Sequence, residues 1–154
     1  MEKIYLLSSM FVFSFLGNAQ IIDFPDADFK TRLLLADIDM PIAFDQNYNQ
    51  IKIDSNGDGN IQIAEALSVY TLDISIGDIS DMTGIEYFTN LVDLQMQANY
   101  LSNTELDLST LTNLAALNCQ ACNITSLNVL QCTNLVNLDC NYNPAAIRIA
   151  RNCR

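Results

Sequence analysis

A short triplet, Thr-Asn-Leu, recurs along the chain and constrains its fold more than any other feature. The three copies begin at Thr89, Thr112 and Thr133, which gives steps of 23 and 21 residues. Each triplet opens the pattern L-x-x-L-x-[MC]-x-x-[NC], and a weaker copy begins at Val69. A period of this length is typical of solenoids, in which each repeat forms one coil and buries its apolar face only by stacking on its neighbours.

The alternation inside each repeat predicts short parallel strands over residues 69–143. Every second side chain of a strand points to the same face. The apolar column is therefore predicted to contain Ile74, Met96, Cys119 and Cys140. We expect an α/β solenoid of leucine-rich repeats with loops or 3-10 turns on its convex side. A series of amphipathic helices is a poor alternative because Asn, Thr and Asp interrupt every copy.

The last position of the repeat pattern holds Asn99, Cys122 and Asn143 in successive copies. A buried amide must be hydrogen-bonded. We therefore expect these side chains to turn inward at the strand ends and to bond backbone groups of the following loop.

Residues 54–65 match the calcium-loop pattern D-x-[DN]-x-[DN]-G-x5-E without a mismatch. The alternating side chains direct oxygens to one point, a glycine permits the bend, and the final glutamate closes the shell. Hard oxygen ligands suit Ca²⁺. The predicted ligands are Asp54, Asn56, Asp58, Asn60, Gln62 and Glu65. The alternative is an Asx- and Gly-rich turn that caps the next helix without a metal.

Residues 20–68 are predicted to form a small helical cap that includes this loop. Residues 25–36 read as a short helix, because Pro25 suits its first turn and Phe29 and Leu33 fall on one face. Residues 63–69 can form one or two further helical turns. A single loop without a partner loop suggests a structural Ca²⁺ of weak affinity, with a Kd of about 10⁻⁴–10⁻³ M.

Residues 1–19 have the features of a secretory signal peptide. Lys3 precedes an apolar run over residues 4–16, and Gly17 and Ala19 supply small residues at a cleavage site. The run is shorter than the roughly 20 residues that span a bilayer. We therefore expect a secreted or extracellular protein, exported by this peptide and without a membrane span.

The chain is acidic, with 18 Asp and Glu against 7 Lys and Arg and a formal net charge of −11. No Lys or Arg lies between Lys52 and Arg148, so phosphate backbones are repelled and nucleic-acid binding is excluded. There is no His, the commonest general base. The tail at 144–154 is basic and leaves the repeat pattern, which indicates either an unusual cap or a truncated product.

All five cysteines lie within residues 119–153. The motif Cys119-x2-Cys122, with Cys132 and Cys140, allows a zinc site. A disulfide between Cys119 and Cys140 is also conceivable, because neighbouring strands lie about 4.8 Å apart. The repeat positions favour a third reading, in which these cysteines are buried thiols.

The repeats and the loop together resemble secreted bacterial leucine-rich repeat proteins of the internalin-like kind. Residues 69–143 carry the repeat. Residues 22–67, with Pro-Asp-Ala-Asp-Phe and Ile-Asp-Ser-Asn-Gly-Asp-Gly, resemble the EF-hand-like calcium-loop cap that precedes the repeats in some of these proteins. The resemblance implies an extracellular adhesion or protein-binding role through the concave sheet, without enzymatic chemistry.

The strand positions that point outward are predicted to form the concave binding face for a protein or a glycan. They are Thr71, Asp73, Asp93, Gln95, Ala116, Asn118, Asn137 and Asp139. One alternative is a truncated structural fragment of a longer surface protein. The other is a carbohydrate-active enzyme that uses carboxylates such as Asp73 and Asp93.

Overall fold

The computed structural model describes residues 20–144 and 148–150. The predicted signal peptide at residues 1–19 lies outside the described residues, as do residues 145–147 and 151–154 of the predicted tail. None of the helices in the described part is both long enough and apolar enough to cross a membrane.

The cap begins with helix α1, Ala27–Leu34, which confirms the helix predicted at this point. Asp26 caps the helix by accepting a hydrogen bond from the Phe29 N–H at 2.8 Å. Phe29 and Leu33 are fully buried, because their spacing of four residues places both on the face that packs against the core. A second helix, α2, spans Ile63–Ala66 and follows the calcium-type loop.

A five-stranded sheet forms the concave side of the solenoid. Strand β1, Ala43–Phe44, comes from the cap and pairs antiparallel with β2, Thr71–Asp73. The next strands are β3 (Asp93–Gln95), β4 (Glu105–Asp107), β5 (Ala116–Asn118), β6 (Ser126–Asn128), β7 (Asn137–Asp139) and β8 (Arg148–Ala150). The concave sheet has the order β1-β2-β3-β5-β7, and all its pairs after the first are parallel.

The predicted apolar column is confirmed. The register pairs Leu72 with Leu94, Leu94 with Leu117 and Leu117 with Leu138, so equivalent positions of successive coils lie side by side. Two residues further on, Ile74, Met96 and Cys119 are fully buried, and Cys140 of the last coil is half-buried. The core is therefore one continuous stack that runs from the cap to the last described coil.

The fold class predicted from the repeats is confirmed, and the convex side is more regular than expected. Strands β4, β6 and β8 form a second, three-stranded parallel sheet there. A single 3-10 helix, Ile85–Tyr87, is present among the described residues, in the first coil. Strand β8 lies in the predicted atypical tail and continues this sheet, with Ile149 aligned to Leu127.

The asparagine positions turn inward as predicted, but their partners differ from the prediction. Asn99 Oδ1 accepts the N–H groups of Gly77 and Ile79, both at 3.0 Å, and these residues belong to the preceding coil rather than the following loop. Its Nδ2 donates to the carbonyls of Ile74 and Met96 at 3.0 and 2.8 Å. The side chain therefore links two coils, which a local reading of one repeat does not reveal.

One backbone position is left-handed in every coil. Ile76, Ala98, Ala121 and Tyr142 have φ values of 54°, 59°, 52° and 59°. None is a glycine or an asparagine, the residues that adopt this conformation at low cost. The recurring turn is therefore imposed by the stacking of the coils and not by local preference.

Candidate functional site

The outward positions of the concave sheet form two rows of side chains. In one row, Thr71, Asp93, Ala116 and Asn137 are aligned by the strand register. The second row consists of Asp73, Gln95, Asn118 and Asp139. All eight are half-buried except Asn137, which is exposed. The structure thus brings every residue of the predicted binding face onto one continuous surface.

Several polar groups of this face are held by hydrogen bonds within a coil or to the neighbouring coil. Gln95 Nε2 donates to Asp93 Oδ1 at 2.6 Å, and the Ser75 N–H donates to Asp73 Oδ1 at 3.0 Å. Asp139 accepts hydrogen bonds from the Gln120 side chain through Oδ2 and from the Asn141 amide group through Oδ1. These bonds fix the carboxylates in place, which lowers the entropy lost when a partner binds.

A shallow, open depression with a volume of about 420 Å³ lies over the last three strands of the concave sheet, β3, β5 and β7. Its walls come from three neighbouring strands and from the residue that precedes β7. The lining residues are Gln95, Ala116, Leu117, Asn118, Val136, Asn137, Leu138 and Asp139. Amide and carboxylate groups therefore surround a floor of small and aliphatic groups.

The calcium-type loop winds around the carboxylate of its first residue. Asp54 Oδ1 accepts the N–H groups of Gly57 and Asp58 at 2.8 and 3.1 Å, and Oδ2 accepts the Gly59 N–H at 3.1 Å. Gly57 and Gly59 have φ values of +74° and +77°, a conformation that L side chains rarely adopt. The glycine at the predicted bend is thus required by the backbone.

The final glutamate closes the loop onto its beginning. Glu65 Oε1 accepts hydrogen bonds from the Ser55 N–H and hydroxyl, both at 2.9 Å, and from the Asn56 N–H at 3.3 Å. Glu65 Oε2 accepts the Gln62 N–H at 3.0 Å and so caps α2. This arrangement is the one expected if residues 54–65 form a turn that caps the following helix without a metal.

Three of the predicted ligands converge in the loop. Asp58 Oδ2 accepts Asn56 Nδ2 at 3.1 Å and Gln62 Nε2 at 2.9 Å, and Asn56 Nδ2 also donates to Gln62 Oε1 at 3.1 Å. The N–H of Asn60 donates to Asp58 Oδ1, which is the largest of the contributions that lower the pKa of Asp58. The donor set, all oxygens, suits Ca²⁺. No group of three or more carboxylates or thiols is placed to hold a metal ion within residues 20–144 and 148–150. In this arrangement the Asp54 and Glu65 carboxylates accept hydrogen bonds from backbone N–H groups of the loop.

The four described cysteines are free thiols, and burial controls their chemistry. Cys119 and Cys122 are fully buried, and Cys132 is nearly so. Burial, together with the nearby Cys122, Cys140 and Asp139, raises the pKa of Cys119 to about 12. Cys122 Sγ donates to the Met96 carbonyl at 3.0 Å, so this thiol takes over one of the bonds that an asparagine makes at the same position. Cys153 lies outside the described residues.

The sequence did not reveal how the cap is fixed to the repeats. Asp26 Oδ2 accepts hydrogen bonds from the N–H and hydroxyl of Ser80, both at 2.8 Å, and from the Asp81 N–H at 3.0 Å. Nothing in the local pattern connects residues so far apart. The sequence shows Asp26 only as an acidic residue at the start of a predicted helix, where negative charge is favourable.

The asparagine of the recurring triplet also has a function that the repeat pattern did not show. Asn90 donates to a backbone carbonyl at the end of the cap, and Asn113 and Asn134 each donate to one of the preceding coil, at 2.7, 3.0 and 3.5 Å. The accepting residues are Leu67, Thr89 and Thr112. The triplet is thus a second ladder that ties the coils together at the start of each repeat.

Comparison with solved structures supports the repeat architecture. The functional domain of InlJ from Listeria monocytogenes, described as including a cysteine ladder, matches with 32% sequence identity and a TM-score of 0.58. The match covers 76% of this chain and 22% of that chain. Neither a protein-family model nor a curated protein matches the sequence.

Two structures of CBM51-2 and INT domains from Clostridium perfringens ZmpB also match, one of them in complex with GlcNAc. Their identities are 26% and 28%, their TM-scores are 0.46 and 0.48, and each match covers 71% of this chain. The chain spans about a fifth of the length of each of the three matched structures, at 22%, 18% and 20%. Together with the register of the strands, the InlJ match identifies the chain as a leucine-rich-repeat-like β-solenoid of about four coils that resembles the InlJ domain.

Proposed function

We propose that this chain is an exported, non-enzymatic binding module for protein adhesion, with a Ca²⁺ ion that stabilises its cap. The observation that carries the proposal is the concave sheet, where eight outward side chains form two aligned rows above a continuous core. The core fixes the backbone, and short hydrogen bonds fix several of the side chains. A rigid polar surface of this kind favours recognition of a folded partner, because little order has to be imposed on binding.

The binding role is tested with two matched variants. Asn118 in β5 and Asn128 in β6 are both half-buried, both end a three-residue strand, and both accept an N–H two residues on at 3.2 Å. Asn118→Arg changes the concave face, and Asn128→Arg makes the same change on the convex face. Proteins that the wild type and Asn128→Arg retain from an extracellular fraction, and that Asn118→Arg loses, support the proposal. Equal retention by both variants contradicts it.

The enzyme alternative requires two free carboxylates around a substrate. The Asp73 and Asp93 side chains each accept a hydrogen bond from a neighbouring residue of the same strand or its extension. Neither carboxylate lines the depression on this sheet, and that depression is open to solvent, which does not suit chemistry that requires exclusion of water. Turnover of a polysaccharide, lost in Asp93→Asn, would overturn the non-enzymatic proposal.

The Ca²⁺ ion would be held by Asp54, Asn56, Asp58, Asn60, Gln62 and Glu65. When bound, it would replace backbone N–H groups as the partner of the carboxylates and would draw both ends of the loop together. The loop lies between α1 and α2, and the backbone at its end bonds residues 20–22, as in the Ile22 N–H to Ile61 carbonyl bond of 2.9 Å. The ion would therefore stabilise the cap on which the first coil stacks.

Calcium binding is tested by thermal unfolding of the mature chain after treatment with a chelator. With a Kd of 10⁻⁴–10⁻³ M, about 10 mM Ca²⁺ should add roughly 1–3 kcal/mol to the free energy of unfolding. The double variant Asp54→Ala, Glu65→Ala should lose this response. The double variant Asp78→Ala, Glu105→Ala removes the same charge from exposed positions and should keep it. An unchanged melting temperature in the wild type contradicts the calcium proposal.

The alternative of a structural fragment of a longer surface protein makes a different prediction in solution. A folded binding module elutes as a defined species in size-exclusion chromatography and unfolds cooperatively. A fragment that depends on missing neighbours exposes apolar core and aggregates. Aggregation at micromolar concentration would favour the fragment.

A further inference from the structure

The depression over β3, β5 and β7 lies where β5 carries a small residue, Ala116, between larger side chains of the neighbouring strands. Ala116 occupies the position that Asp93 has in β3 and Asn137 has in β7. The missing side-chain volume leaves a gap between Gln95 on one side and Asn137 and Asp139 on the other. The gap is large enough for the end of one long side chain, not for a whole domain surface.

The polar groups around this gap include acceptors that no described residue uses. Gln95 employs only its Nε2, in the bond to Asp93, and its Oε1 has no partner among residues 20–144 and 148–150. The Asn137 side chain is exposed and has no partner in the same part of the chain. The Asp139 carboxylate accepts three hydrogen bonds, and an ionised carboxylate has about four lone-pair sites.

The charge around the gap is of one sign. Asp73, Asp93 and Asp139 lie on the same face, and no Lys or Arg occurs from residue 53 to residue 147. A cation is therefore attracted to this face and an anion is repelled. Ala116 and the exposed Val136 add aliphatic surface beside the acceptors. A long aliphatic stem with a positive end matches this combination.

We propose that the depression around Ala116 takes a lysine side chain of a protein partner, with its ammonium group between Asp139, Asn137 and Gln95. The three N–H donors of an ammonium group fit three oxygen acceptors, and its aliphatic stem lies against Ala116 and Val136. This inference deepens the proposed function and rests on it, since it names the chemistry that the concave face recognises.

Binding of the tripeptide Gly-Lys-Gly to the mature chain is measured by NMR at constant ionic strength. Saturable shifts of the Ala116, Asn118 and Asn137 amides are expected. The same tripeptide with an acetylated lysine should not produce them, because acetylation removes the charge and two of the donors. Gly-Arg-Gly distinguishes lysine recognition from general attraction of cations and should bind more weakly.

Two variants with the same charge change provide the control. Asp139 in β7 and Asp107 in β4 both end a three-residue strand and both accept the N–H two residues on, at 3.1 and 2.9 Å. Asp139→Asn should weaken Gly-Lys-Gly binding about tenfold or more, the usual cost of losing one charged hydrogen-bond partner, while Asp107→Asn should leave it unchanged. Ala116 points away from the core, so Ala116→Leu should fill the depression without disturbing the core and should abolish binding of Gly-Lys-Gly.

The outcomes separate the two proposals. Equal weakening by Asp139→Asn and Asp107→Asn, or equal shifts with the acetylated tripeptide, overturns lysine recognition. If these results occur while Asn118→Arg still loses protein partners, the concave face binds by another chemistry and the proposed function stands. If Gly-Lys-Gly binds as expected while Asn118→Arg and Asn128→Arg retain the same partners, the depression binds a lysine side chain, but the adhesion proposal fails and with it the assignment of that lysine to a protein partner.

Discussion

Asp26 and Ser80 are 54 residues apart in the sequence, and both donors of Ser80 lie 2.8 Å from one oxygen of the Asp26 carboxylate. The other oxygen of the same carboxylate caps α1 through the Phe29 N–H, at 2.8 Å. One buried side chain therefore starts the cap helix and fixes it to the first coil. This contact lies beside a hydrophobic core that is continuous from the cap into the repeats, so we expect the two parts to unfold together.

Replacement of Asp26 should destabilise the whole chain. Asp26→Ala removes the helix cap and leaves the N–H groups of Ser80 and Asp81 without a partner, which should cost about 2–4 kcal/mol of unfolding free energy. Asp28→Ala removes an exposed carboxylate from the same helical turn and should cost under about 1 kcal/mol. Urea unfolding of the two variants measures the difference. Equal losses would show that the clamp to Ser80 contributes nothing.

The same carboxylate should make the protein sensitive to acid. Burial alone would raise the pKa of Asp26, but the hydrogen bonds from Phe29, Ser80 and Asp81 outweigh it and hold the pKa below the usual value of an aspartate. A carboxyl group with a lowered folded-state pKa contributes stability above its unfolded-state pKa and loses it as the pH falls through the folded-state pKa. The stability gap between the wild type and Asp26→Asn should therefore be constant from pH 7 to about pH 4 and shrink below it. A gap that persists undiminished to pH 2 would contradict this assignment.

The buried asparagine at the end of β3 should be among the most costly positions to change. Asn99 is 1% exposed and makes four hydrogen bonds to the backbones of two coils. Asn99→Ala removes the side-chain partner of the Gly77 and Ile79 N–H groups and of the Ile74 carbonyl in the core, and should cost about 3–5 kcal/mol. Asn113→Ala removes one exposed bond of 3.0 Å between coils and should cost at most about 1 kcal/mol. Thermal unfolding of the two variants decides the point, and similar melting temperatures would refute the role of Asn99.

The thiols should react in an order set by burial. Cys119, with a pKa of about 12, is almost entirely protonated at pH 8 and is also inaccessible. Burial likewise raises the pKa values of Cys122 and Cys132. Cys140 is half-buried, so it should be alkylated first among these four, as read by peptide mass spectrometry. Urea should expose all four, and rapid labelling of Cys119 in the native protein would contradict the stacked column.

The apolar column was predictable because a period of about 22 residues shows directly which side chains stack. Ile74, Met96, Cys119 and Cys140 follow from that period, and so do the eight outward positions of the concave face. The convex sheet carried a weaker signal. Leu106 and Leu127 each lie between two polar residues, and the sequence distance between them is the repeat period that aligns them in the sheet. An alternation over only three residues, however, does not distinguish a strand from a turn.

The remaining features depend on contacts between distant residues, which a repeat pattern does not encode. The Asp26–Ser80 clamp and the pairing of β1 with β2 arise where the cap meets the first coil, and each occurs once. The left-handed turn at Ile76 contradicts local preference, since a β-branched residue disfavours positive φ. The depression at Ala116 became visible only when the strand register placed it between Gln95 and Asn137.

The most direct test of the account is hydrogen–deuterium exchange on the chain bound to a partner that distinguishes Asn118→Arg from Asn128→Arg. Slower exchange is expected in the peptides that contain β2, β3, β5 and β7, which form the concave sheet, and not in those that contain β4 and β6 on the convex side. Protection of the convex strands alone, or no protection of any strand, would contradict binding through the concave face.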